Sequence, residues 1–120
     1  MKVAISSEGP SLESPVDARF GRAACFIVAD TETGAFETLP NEQNLAAPQG
    51  AGVQAASAVA GREVEAVLTG HCGPKAFRVL AAAGIRIYVG AKGTVAQALE
   101  QLKAGKLTPA DQPDVEGHWM

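Results

Sequence analysis

Aromatic residues make up only 5% of this 120-residue chain, and cysteine occurs twice. With 47% of residues apolar, the core must be filled by aliphatic side chains and alanine. Alanine-rich helices are slim and pack close to whatever they cover. Excess positive charge is also missing: the formal net charge is -3, with a pI of 5.3. That balance excludes a general nucleic-acid binder, which needs a basic patch. No run of like charge suggests a tail for membranes. The opening MKVAISSEG holds an apolar run too short for a signal-peptide core or a membrane span. A cytoplasmic protein is expected, and in a reducing compartment Cys25 and Cys72 are expected as free thiols.

Motifs are missing too. Nothing matches the G-x-x-x-x-G-K-[ST] phosphate loop, and GAG at 50–52 runs into VQA, which breaks the dinucleotide fingerprint. The first predicted strand carries no carboxylate, and Asp30 falls at a predicted hairpin turn, which argues against metal-dependent nuclease chemistry.

What is present reads as one domain. KVAIS (2–6), CFIVAD (25–30), AFETLP (35–40), EAVLT (65–69) and IRIYVG (85–90) are short apolar runs bounded by turn residues, the pattern of strands. Helical spacing recurs in 53–62, in 74–84 with Pro74 at the first position and Gly84 as stop, and in 94–105 with Thr94 as N-cap and Gly105 as stop. The order β-β-β-α-β-α-β-α implies a mixed sheet, antiparallel early and parallel later, with helices on it. The domain is expected to span 1–107, followed by a polar tail, 108–120.

In open α/β sheets, ligands bind beyond the carboxyl ends of the parallel strands. Those ends carry Ser6-Ser7, Thr69 to Gly73, and Gly90 to Gly93, and two of them lead into helix starts suited to an anion. Lys75 and Lys92, with Arg19 and Arg22 from the long first loop, add positive charge there. Within LTGHCGPKAF (68–77), His71 and Cys72 form a soft donor pair on a loop expected to be exposed. Both also read as fillers of a tight turn. Cys25, beside Phe26 on a strand, reads as a small buried hydrophobe. A Cys–His hydrolase would need His118 folded back from the tail, because adjacent side chains usually point apart.

The early serines, FGRAACFIVAD, NEQN, the helix after GAG, VLTGHCGPKAFRVLAAAGIRIYV and TVAQALEQLKAGKL, in that order, resemble the dinitrogenase iron–molybdenum cofactor-binding family. The likeness runs from about residue 2 to about 107. It implies a ribonuclease H-like α/β fold with a mixed five-stranded sheet and three helices. It also implies a carrier or scaffold for an anionic metal–sulfur cluster, of Mo–Cu sulfide or Fe–Mo type, and not an enzyme. Carried over by motif, the cofactor-binding residues are Ser6, Arg19, Gly21, Arg22, Asn41, Gly70, His71, Cys72, Gly73 and Lys92, with Cys72 and His71 as metal ligands. The implied partners are the cluster or a protein that donates it, with no nucleic acid and no membrane. Two alternatives are a metal-free interaction or regulatory module, involving the helix faces or the tail around Trp119, and a small Cys-dependent enzyme.

Overall fold

The computed structural model describes residues 1–41 and 50–113. Five strands, β1 (Lys2–Ser7), β2 (Cys25–Asp30), β3 (Phe36–Pro40), β4 (Ala66–Leu68) and β5 (Arg86–Tyr88), form one sheet in the order β3-β2-β1-β4-β5. β1–β2 and β2–β3 are antiparallel, whereas β1–β4 and β4–β5 are parallel. The helices are α1 (Ala51–Ala60), α2 (Pro74–Ala82) and α3 (Val95–Lys103). This is the expected element order and the expected mixed sheet.

Strand side chains alternate between faces, and each face has its own core. Ala4, Phe26, Val28, Val67 and Ile87 pack with α1 and α2 through Ala55, Ala56, Val59, Ala76 and Leu80. Val3, Ile5, Ile27, Leu68 and Tyr88 pack on the other face against Val95 and Ala98 of α3. The small residues on α1 are what let it sit beside α2 and close to the sheet, as the shortage of rings requires.

The helix ends follow their chemistry. Pro74 opens α2 behind the N-cap Gly73, a position where its missing N–H costs nothing. α3 starts with a capping box: Gln97 N donates to Thr94 Oγ1 at 3.1 Å, and Thr94 N donates to Gln97 Oε1 at 2.9 Å. Gly84 sits just past the α2 C-cap Ala83 with φ 77°, the left-handed turn that suits glycine.

β4 and β5 are shorter than the apolar runs that announce them, at three residues each. The residues just outside β4 extend its ladder with β5: Thr69 N donates to Tyr88 O, and Glu65 O accepts from Arg86 N. At the outer edge of β5, Pro109 bridges to Tyr88, and Ala110 N donates to Ile87 O at 2.7 Å. The sheet therefore takes in two residues of the segment expected as tail. His118 and Trp119 lie outside the described residues, as does most of the NEQNLAAPQ loop.

Candidate functional site

The topology sends the carboxyl ends of β1, β3, β4 and β5 to one rim, together with the start of β2 and of every helix. Across that rim runs a strap formed by residues 12–20. Its backbone is tied to the end of β1 and to two loops. Asp17 N donates to Ser6 O, Val16 N to Gly93 O, and Phe20 N to His71 O. His71 N returns a bond to Ala18 O at 2.8 Å, so Arg19 and His71 form a parallel bridge. Beneath the strap, Ser6 and Thr69 are fully buried. Their hydroxyls lie 2.7 Å apart, and Ser6 Oγ bonds Asp17 O at 2.8 Å. Gly70 lies under the same crossing. A Cβ there would stand 2.7 Å from Ala18 Cα, so the strap can come this close only over glycine.

The strap also decides which helix starts are open. Ser14 O accepts from Val95 N, and Leu12 O accepts from Ala96 N. With Gln97 N on Thr94 Oγ1, the first turn of α3 is filled by the protein itself. The expectation that the glycine-rich β5–α3 loop leads into an anion-accepting helix start is thereby corrected. Lys92, exposed on that loop, stands beside a closed helix end. α1 and α2 differ. Neither N-cap has a side-chain hydrogen bond, and neither first turn carries an acidic residue. The N–H groups of Gly52 and Val53 on α1, and of Lys75 and Ala76 on α2, have no hydrogen-bond partner among the described residues. The positive ends of two neighbouring helices thus face the rim together.

The other site candidates fall into two groups. Arg19 is exposed, while Arg22 and His71 are half-buried. Lys75 is exposed at the first turn of α2. Arg19, Arg22 and Lys75 give the α1/α2 side of the rim its positive charge, with Asp17 as the acidic neighbour whose Oδ1 accepts from Arg19 N. Ser6, Gly21, Asn41, Gly70 and Gly73 are buried and belong to the frame. Asn41 Nδ2 donates to Gly21 O at 3.3 Å and to Ala23 O at 2.8 Å.

Cys72 is a correction. The loop was expected to be exposed, yet this side chain is 0% exposed and lies in the α1/α2 core with Phe20 and Ala76. Its neighbour His71 keeps access to solvent, as opposite orientations along the chain require. Among the described residues, no group of three or more His, Cys, Asp or Glu is placed to hold a metal ion. The N–H groups and cations at the rim are donors that suit an anion. Cys25 is buried, as expected, with Sγ 3.2 Å from Gly9 O. Burial pushes its thiol above the usual range, against the Ser7 hydrogen bond that lowers it.

Sequence reasoning missed the strap itself. Ser14-Pro15-Val16 looked merely irregular, although Pro15 and Val16 each form an isolated bridge, to Thr94 and Ser7. A proline followed by a β-branched residue in a polar stretch was the available signal.

The family model for the dinitrogenase iron–molybdenum cofactor matches residues 1–105. This chain belongs to that family. It is similar to the orange protein of Desulfovibrio gigas, solved in its apo form, with a TM-score of 0.92 and 40% identity, covering 95% of this chain and 96% of that one. A Thermotoga protein provisionally named NifB is similar with a TM-score of 0.83 and 35% identity over 97% and 98% of the two chains. An uncharacterised protein of Methanocaldococcus jannaschii is 29% identical over 109 residues, 89% of each chain.

Proposed function

We propose that this protein is a small carrier or scaffold for an anionic metal–sulfur cluster, of Mo–Cu sulfide or Fe–Mo type, handed on intact and not consumed. The cargo sits at the α1/α2 side of the rim. The observation that carries this reading is the pair of helix starts whose first-turn N–H groups have no partner among the described residues, set beside Arg19, Arg22, Lys75 and His71, while the third helix start is closed. Family membership supports the cargo class. A large, polarisable, multiply charged sulfide anion needs several weak donors and diffuse positive charge more than it needs one covalent ligand. Such a grip also allows release.

In this reading each residue has a distinct task. The backbone N–H groups of Lys75 and Ala76 aim at the cargo, and Arg19 and Arg22 supply charge from the strap and the turn after it. His71 is the accessible soft donor at the edge. Cys72, closed into the core, holds the α2 start in place and does not ligate. Two free thiols agree with a reducing cytoplasm. A protein that donates or accepts the cluster is the implied partner.

The test is anaerobic reconstitution with tetrathiomolybdate and cuprous ion, and in parallel with iron, molybdate and sulfide. Elemental analysis and visible absorption are read after gel filtration. A carrier retains metal and sulfide in stoichiometric amounts with charge-transfer bands, and its affinity falls as salt rises. A protein that emerges colourless from both mixtures is not a carrier, and the metal-free interaction module then takes its place.

A further inference from the structure

Asn41 stands at the end of β3 and is 2% exposed, too deep to meet a cargo at the rim. Its carboxamide nevertheless reaches across the start of β2. One Nδ2 group donates to Gly21 O at 3.3 Å and to Ala23 O at 2.8 Å, the two carbonyls on either side of Arg22. Its backbone N–H adds a bond to Ala24 O at 3.2 Å. A primary amide has two N–H donors on one nitrogen, so a single side chain ties the peptide unit before Arg22 to the one after Ala23. Gly21 and Ala23 are themselves buried, and Arg22 between them is half-buried. A buried amide that spends its donors on a turn costs desolvation and fixes that turn's backbone.

We infer that Asn41 is a positioning residue for Arg22: it holds the turn so that the arginine is presented at the rim in one place, and it acts on cargo only through that arginine. The inference rests on the carrier reading for its cargo and on the clamp geometry for everything else. Serine at this position keeps one donor on a shorter arm and cannot span both carbonyls. Aspartate would set a carboxylate against two carbonyl oxygens and eject the turn.

The experiment is a double-mutant cycle with tetrathiomolybdate plus cuprous ion as the probe, comparing wild type, Arg22→Gln, Asn41→Ser and the double variant by anaerobic equilibrium dialysis. Each single variant is expected to bind about tenfold more weakly, the loss of one charge-assisted contact. The double variant should be no weaker than Arg22→Gln alone, because both changes remove the same contact. The salt dependence should flatten equally in all three variants. Additive losses in the double variant, or unchanged affinity in Asn41→Ser, overturn the inference. If Asn41→Ser does not fold, the wild type decides it: on adding the probe, the Arg22 side-chain N–H resonance must shift saturably, and an unmoved resonance overturns the inference. If the wild type binds no probe, the carrier reading fails by itself. The clamp is then judged by nitrogen-15 relaxation, which must show Gly21–Ala23 loosened in Asn41→Ser; an equally rigid turn refutes it.

Discussion

The two ends of the sheet are built on opposite plans. At the rim, the chain crosses over itself: a strap ties the end of β1 to two loops by backbone hydrogen bonds over a buried hydroxyl pair. Among the described residues, Arg19, Lys75 and Lys92 make no ion pair there. At the other end lie the amino terminus and the β2–β3 turn. Asp30 closes the β2–β3 turn through its own side chain, accepting from Glu32 N at 2.8 Å, and the amino terminus lies 3.9 Å from both Asp30 and Glu32. Glu63 and Glu65 are exposed there as well. The far turn closes through its own residues, with Met1 joined to it from 30 positions away. The rim is held by the strap, beside two helix starts whose first-turn N–H groups have no partner among the described residues.

The largest way to break this contrast is Gly70→Ala. The added methyl would meet Ala18 Cα at 2.7 Å and Ala18 O at 2.8 Å, backbone atoms that cannot yield alone. We expect a loss of about 3 kcal/mol in urea unfolding and a parallel loss of cargo. Retained stability would mean the strap is not tied down at this crossing. Ser6→Ala is expected to cost about 1–2 kcal/mol, because the Thr69 hydroxyl and the Asp17 carbonyl lose a buried partner. Combining it with Thr69→Val should recover part of that loss in the same assay.

The smallest effect belongs to the far end. Asp30 is held below the usual carboxylate range, chiefly by the Glu32 N–H, with further help from the Thr33 N–H, the amino terminus and Lys2. A lowered native pKa adds stability that is complete above the unfolded value, about 3.9, and that disappears as pH falls through the native one. Asp30→Asn should therefore weaken the pH dependence of unfolding below about pH 4, seen in acid titrations by circular dichroism. Cargo binding at neutral pH should not change. A shift in binding would show that the two ends are coupled.

The element order was legible because it is written locally. β-branched runs mark strands, alanine at helical spacing marks α1, and Thr94 with Gln97 marks the start of α3. The rim was legible only as a place. Ser6 was placed at the rim by its strand end and Asn41 came from the resemblance, and nothing near them in sequence shows that one bonds Thr69 and the other ties the Arg22 turn. Cys72 was read as exposed because glycines and a proline surround it. Its burial depends on Phe20 and the strap, about fifty positions earlier in the chain. The start of α3 looked open for the same reason, since the carbonyls that fill it belong to Leu12 and Ser14. Local patterns report propensity, whereas closure of a surface is settled by segments that meet only in the fold.

The Ser6–Thr69 contact joins positions 63 apart, and the strap reaches still further, into the first turn of α3. Closing loops of that length comes late, after the hairpin and the local helices have formed. A growing chain can therefore carry β1, β2 and β3 for much of its synthesis without any cradle to load. Only when α3 has emerged do the strap's carbonyls find their donors and the two open helix starts acquire a fixed frame. If the rim carries the proposed cluster, order of synthesis acts as a safeguard, because a half-made molecule has nowhere to hold it.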